Sequence, residues 1–200
     1  LAAERQKVMQ VTLEAIAAIA KTEEAKDSYT NAHSERVADT SVKIAKKLGW
    51  SEEKVEKLRY QALLHDIGKI GIPDRILNKH KNLTEKEYGI MKQHVKIGAD
   101  ILKNLSTMEG LEEGALYHHE RWDGKGYLSG KKGEEIPEAA RIIAVADAYD
   151  AMSFERIYRG SFDESHVTEE IRRGRGTQFD PKVADALLSI LAEQSDAQKN

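Results

Sequence analysis

Apolar positions recur every three or four residues along most of this chain, and no stretch alternates in the manner of a strand. Residues 3 to 24 carry Val8, Val11, Ala15, Ile16, Ile19 and Ala20 at that spacing, with no Gly or Pro among them. The pattern predicts an amphipathic helix. It serves either as a core-packing helix or as a signalling or dimer helix. After a polar turn at Asp27 to Asn31, a second helix starts near His33 and runs through Val37, Ser41, Ile44, Ala45 and Leu48 to Gly49. Ser51, followed by Glu52 and Glu53, reads as an N-cap with an acidic first turn. That third helix carries Val55, Leu58, Ala62 and Leu63 into His65-Asp66 and ends at Gly68 or soon after.

Residues 74 to 83 read as a polar connection. Thr84 with Glu87 is a capping-box pattern, opening one helix that holds Tyr88, Met91, His94, Val95, Ile97, Gly98, Ile101 and Leu102. A short helix from Leu111 reaches Tyr117-His118-His119-Glu120. Residues 121–135 form a Gly-rich loop. Pro137 opens a helix with Ile143, Val145, Asp147 and Ala148, and two further helices cover about 163–173 and 181–193, the latter with Pro181 at its first turn. The chain is therefore all-α, with seven to nine helices. It divides into an N-terminal linker or signalling helix (1–26), one domain (27–194) and a disordered tail (195–200).

Length and composition narrow the class. With 200 residues there is enough chain for one moderate domain with a real core. No apolar run is long enough to span a bilayer. The sequence opens at Leu1 without Met, which reads as a piece of a longer protein whose upstream segment, membrane-borne or not, is out of view. A cytoplasmic setting is expected for the part given. The formal net charge of -3 argues against a duplex nucleic-acid binder. Cysteine is absent, so any metal must be held by imidazole and carboxylate, which suits Fe, Mn, Zn, Ni or Co.

The candidate chemistry is concentrated in histidine. Of the seven, His80 and His166 lie in polar stretches and read as surface residues. His33, His65, His94, His118 and His119 lie in helical segments with apolar neighbours, as do Asp66 and Asp147. Buried imidazole without a partner is costly, and a shared cation satisfies the whole set. Adjacent helical residues diverge by about 100°. His65 and Asp66 thus cannot both aim at one point from mid-helix, but they can flank a cluster. Imidazoles and carboxylates around two metals suit phosphoester cleavage.

In order, the chain reads H-D-I-G-K-I-G-I-P-D, M-K-Q-H-V-K-I-G, H-H-E-R-W-D-G-K-G-Y, A-V-A-D-A-Y-D-A-M and G-T-Q-F-D-P. From about Tyr29 to Ile190 this resembles the HD-GYP family, bacterial cyclic di-GMP phosphodiesterases of the HD metal-dependent phosphohydrolase superfamily. The resemblance implies an HD-domain bundle of about seven helices behind the N-terminal helix, and two divalent metal ions, Fe or Mn. His33, His65, Asp66 and Asp147 then resemble the ligands of one metal. Asp66, His94, His118 and His119 resemble those of the other, with Asp66 bridging. Lys69 matches the lysine that contacts the scissile phosphate. Asp150, Arg156 and Arg159 match positions near the bound dinucleotide.

The implied reaction is attack by a metal-bridging hydroxide that opens cyclic di-GMP to pGpG, with a second cut to GMP. Another nucleotide such as cyclic GMP-AMP, or a catalytically silent binding module, are the alternatives. The implied partners are an upstream sensor or receiver domain, a GGDEF-domain protein, and a second copy paired through the N-terminal helix. The chain departs from the family at Tyr29, where a Glu would bring a third metal. It departs again at Leu128, which stands for Pro after Gly126-Tyr127, and at Ser28, His80 and Ile157, where Pro is common. These loops are expected to be less constrained.

Overall fold

The computed structural model describes residues 32–105, 108–158 and 164–198, plus positions 11, 15, 18, 19, 21, 22 and 26; side chains within 154–164 are not described. The described positions before residue 32 are helical, and the rest of the helix expected over 3–24 lies outside the described residues. So do Ser28 and Tyr29.

Helix α1 (His33–Lys47) buries Ser34, Val37, Ala38, Ser41, Ile44 and Ala45 along one stripe. Helix α2 (Glu52–Leu63) begins at Ser51, whose side chain accepts from the Lys54 amide, and buries Val55, Leu58, Tyr60, Gln61 and Ala62. A 3-10 turn (Ile67–Gly71) follows. Pro73 then starts a short helix, α3 (Asp74–Leu77), inside the stretch expected to be an irregular connection. Its isoleucine, Ile76, is 2 % exposed, and that burial holds the turn.

The single helix expected after Thr84 is two. Helix α4 (Glu85–Met91) has the expected Thr84–Glu87 capping box but buries nothing. Helix α5 (His94–Leu102) buries His94, Val95, Gly98, Ala99 and Leu102. The turn at Lys92-Gln93 lets the exposed α4 stay on the surface while α5 turns its apolar face inward. Helix α6 (Glu112–Tyr117), the long α7 (Glu138–Tyr158), α8 (Glu164–Gly174) and α9 (Pro181–Gln198) complete the order. Among the described residues there is no strand, only an isolated bridge between Arg175 and Phe179. None of their helices is long and apolar enough to cross a membrane.

The core has two parts. The larger packs α1, the Val55–Leu58–Ala62 face of α2, the apolar face of α7, and Ile171, Phe179, Val183, Ala184, Leu187 and Leu191 from α8, α9 and the turn between them. The smaller comprises Tyr60, Leu64, Ile67, Leu102, Leu111 and Ala115. Full burial of each Leu or Ile stabilises by about 1.5–3 kcal/mol. Arg141 of α7 bonds the Ile136 carbonyl at 3.0 Å and pairs with the 3 % exposed Asp180 ahead of α9. One correction concerns the tail: residues 195–198 continue α9. Ala, Gln and Glu in its last turns are good helix formers, and nothing there breaks the run.

Candidate metal centre

The site gathers where α1, α2, α5, α6 and α7 converge. His65 and Asp66 do not sit in mid-helix. Helix α2 ends at Leu63, and Leu64 (φ -109°) and Asp66 (φ -101°) leave helical geometry. The 100° divergence of neighbouring helical residues therefore no longer applies, and both side chains reach the same centre, with His65 Nε2 3.3 Å from Asp66 Oδ2. His118 likewise falls at the end of α6, and the ring of His119 lies 4.1 Å from it, centroid to centroid.

Asp66 is the hub. Its Oδ1 lies 3.3 Å from His94 Nε2 and 3.6 Å from His118 Nε2. Its Oδ2 faces His65 and takes the Lys69 ammonium at 2.8 Å. One donor atom from each of Asp66, His94, His118 and His119 lies within 4.8 Å of the others, and the same holds for His33, His65 and Asp66. Asp147 stands beside the second group, its Oδ1 3.3 Å from His33 Nε2. All seven residues expected as ligands thus meet in one place.

The tautomers fit a cation. His65 Nδ1 donates to the Ala62 carbonyl at 2.7 Å and His94 Nδ1 to the Met91 carbonyl at 2.8 Å. His118 Nδ1 donates to the Gly114 and Ala115 carbonyls, each at 3.0 Å. A carbonyl only accepts, so in each ring a proton is on Nδ1 and Nε2 is the atom turned inward. His94 and His118 Nε2 face each other at 3.5 Å. His65 Nε2 and Asp66 Oδ1 are buried without a hydrogen-bond partner. Buried polar atoms without partners are unfavourable, and a cation among them would supply one.

Electrostatics point the same way. Burial brings His94 down to about 4 and, with His118 alongside, holds His119 well below its usual range, so both rings are neutral. Burial disfavours an ionised Asp66, yet the Lys69 and His65 charges keep it far below the ordinary carboxylate range. His33 differs. Burial would lower it, but bonds to Asp147 and Asp150 carry it up to about 10. A cation bound by His33 must displace that proton.

Asp150 was expected near the dinucleotide. It is only 6 % exposed, and its oxygens are taken by His33 Nδ1 at 2.8 Å and by a two-point bond from Arg36 at 2.6 and 2.9 Å. Its visible task is to aim the His33 ring. The side chain of Arg156, and Arg159 altogether, lie outside the described residues, as does the side chain of Ile157. His80 and His166 are exposed, as expected.

Three residues at the site were not singled out from sequence. Arg36 follows His33 by three, a helical same-face spacing that could have flagged it. Glu120 is buried and accepts from the Ser129 amide and hydroxyl at 2.8 and 2.7 Å. Tyr127 stacks on His119, with centroids 4.7 Å apart and planes 28° apart. The loop lies so close that a Cβ on Gly126 would meet the Glu120 Cα at 2.5 Å. Glu120 thus fastens the loop that leads to the altered Leu128, which is itself 47 % exposed.

The family model described as "HD domain" matches residues 14–183. The chain belongs to the HD domain family. This HD domain is 45% identical over 175 residues to a protein of Thermotoga maritima named cyclic di-GMP phosphodiesterase, covering 86% of this chain and 48% of that one. It is 42% identical over 178 residues to a cyclic di-GMP phosphodiesterase response regulator of Xanthomonas campestris, covering 88% of this chain and 47% of that one. A 3'3'-cGAMP-specific phosphodiesterase of Vibrio cholerae is 37% identical over 172 residues, covering 85% of this chain and 33% of that one. The HD domain spans about half or less of the length of these relatives.

Among solved structures, a Vibrio cholerae cyclic GMP-AMP phosphodiesterase superposes with a TM-score of 0.71 at 20% identity, over 91% of this chain and 49% of that one. An HD domain of L. monocytogenes in complex with cyclic di-AMP superposes with a TM-score of 0.59 at 23% identity, over 88% and 96%. These two likenesses concern the fold. The all-α HD-domain architecture expected from the sequence is the one observed, and the HD-GYP resemblance of the motifs agrees with the names of the relatives.

Proposed function

We propose that this HD domain is a metal-dependent phosphodiesterase that opens cyclic di-GMP to linear pGpG. The observation that carries the reading is Asp66, one carboxylate shared by two donor groups and bonded at 2.8 Å to Lys69. In this reading His33, His65, Asp66 and Asp147 would hold one divalent cation, and Asp66, His94, His118 and His119 its neighbour; Fe and Mn, which the resemblance implies, are among the metals such donors suit. When bound, such a pair offsets phosphate charge and makes a water acidic enough to attack near neutral pH.

The chain's own residues do the rest. Lys69 turns its charge toward a phosphoryl oxygen, where a placed cation favours the transition state over the ground state. Asp150 and Arg36 keep His33 in one orientation, and Glu120 keeps Tyr127 over His119. Cyclic GMP-AMP is the second substrate reading, favoured by relatives of 37% and 39% identity that are named for it. A cytoplasmic setting, an upstream sensor or receiver domain, a GGDEF-domain partner at the 121–135 loop and pairing through residues 1–26 belong to the same proposal. Arg156 and Arg159 keep their proposed place near the dinucleotide.

The test is elemental analysis with a hydrolysis assay on anaerobically purified protein. The wild type is expected to hold about two equivalents of Fe or Mn and to hydrolyse cyclic di-GMP. Asp66→Ala is expected to lose most of the metal. Lys69→Ala keeps it and loses about 10²–10³ in kcat, the scale of removing one transition-state contact. A wild type that takes up no metal when supplied, or that holds metal and leaves cyclic di-GMP and cyclic GMP-AMP intact, overturns the proposal.

A further inference from the structure

The 67–72 turn is held from two sides. On the side of α5, Gly68 lies against the backbone of His94 and Gly98, and Gly71 against the Ile97 side chain. On the other side stands Lys26, far ahead in sequence. Its ammonium donates to the carbonyls of Ile70 and Ile72, each at 2.7 Å, and of Lys69 at 3.3 Å. Asp74 Oδ1 lies 3.5 Å away. An ammonium has three donors in all, and here they meet three carbonyls of one turn. The Lys26 carbonyl in turn accepts from Asn78 Nδ2 at 3.2 Å, so residue 26 is tied at both ends to the 69–78 stretch.

The last carbonyls of a short helix lack partners further along it, although that of Lys69 also accepts from the Ile72 amide at 3.0 Å. Here a cation collects them, which also suits the negative end of a helix. The turn is five residues long, and Lys69 is its middle residue. Moving the carbonyls therefore moves the Lys69 Cα, and with it the reach of the ammonium to Asp66.

We propose that Lys26 is a positioning residue: by gathering the Lys69, Ile70 and Ile72 carbonyls it fixes the turn that aims Lys69 at the substrate phosphate. The proposal rests on the phosphodiesterase reading of Lys69. It also makes the rate of that reaction answerable to the chain segment in which Lys26 lies. A displacement of this segment withdraws the ammonium and frees the Lys69–Ile72 end of the turn, while Gly68 stays packed against α5.

The experiment is a mutant cycle in the metal-loaded protein with cyclic di-GMP as substrate. Lys26→Met keeps the length of the side chain and removes its donors. It is expected to lower kcat about ten- to hundredfold, the scale of an ångström-size misplacement, with KM and metal content close to wild type. Lys26→Arg is expected to restore much of the rate. In a Lys69→Ala background, Lys26→Met should do almost nothing further, because the residue it positions is gone. Wild-type kcat in Lys26→Met, or an equal loss in both backgrounds, overturns the proposal. Amide exchange at Lys69 and Ile72 gives a readout that needs no turnover, and about tenfold faster exchange is expected in Lys26→Met. A wild type that leaves cyclic dinucleotides intact overturns the phosphodiesterase reading alone if that exchange still accelerates, and the tether as well if it does not.

Discussion

Gly68→Ala is the smallest change that should dismantle this site. A Cβ added at Gly68 would lie 1.8 Å from the His94 carbonyl oxygen and 2.5 Å from the Gly98 amide nitrogen. Both obstacles are backbone, so no rotamer relieves the clash. Real Cβ contacts essentially never fall below 3.0 Å, so the turn and α5 have to part by roughly 1.2 Å. The turn carries Asp66 and Lys69, and α5 carries His94. The 3.3 Å approach of Asp66 Oδ1 to His94 Nε2 therefore opens as they separate.

Overpacking costs about 1–3 kcal/mol and occasionally more, and backbone against backbone belongs at the upper end. At about 2–4 °C per kcal/mol for a chain of this size, the melting midpoint should fall by about 6–12 °C. Bound Fe or Mn should fall below half of the wild-type content, and any hydrolysis by about 10²-fold. Calorimetry and elemental analysis read both effects. Gly89→Ala is the control. It lies on the exposed face of α4 with nothing within 4 Å of the added atom, and it should stabilise by up to about 1 kcal/mol. A Gly68→Ala protein that melts with the wild type and holds its full metal would refute the close-approach argument.

Three further outcomes follow from the same contacts. Arg36→Ala leaves Asp150 with His33 alone and should weaken Mn²⁺ binding about 10–100-fold in a calorimetric titration; Arg36→Lys should recover only part, since an ammonium cannot make the two-point bond. Glu120→Ala should cost about 1–3 kcal/mol and speed amide exchange at Ser129, whose N–H it accepts. Bonds from Arg121 bring Asp123 down to about 2, against an opposing effect of burial. A depressed carboxylate contributes stability above its unfolded value of about 3.9, lost as pH falls through the folded value. Melting curves of wild type and Asp123→Asn should thus differ at about pH 5 and converge near pH 2.

The helices were legible because their apolar stripes are regular, and the seven-residue constellation because each member follows or punctuates such a stripe. What the stripes hide is where a helix stops. Tyr88 to Leu102 keeps one period, so nothing marks the turn at Lys92-Gln93 that divides α4 from α5. The expected helix end near Gly68 comes too late for the same reason, and the earlier release after Leu63 is what lets the His65 and Asp66 side chains converge. Contacts between distant residues were least readable. Arg36 meets Asp150 from 114 positions away, and Lys26 reaches the Ile72 carbonyl from 46. Neither span leaves a periodic trace in the chain. The departure at Leu128 was visible in the sequence, but the Glu120 bond that steadies that loop was not.

Helix α2 is shared property. Its Val55, Leu58 and Ala62 face the larger core, its Tyr60 and the following Leu64 face the smaller, and Leu63 touches both. It is a wall between two rooms, and His65-Asp66 stands where the wall ends. His33 and Asp147 lean in from one room, and His94 and His118 from the other. Whatever joins Asp66 to all four is a rivet between two apolar compartments. A chelator should then act on this protein as a mild denaturant acts on others. It should loosen the smaller compartment first, making the segment from α4 to α6 the earliest target of a protease while the α1–α7–α9 compartment still stands.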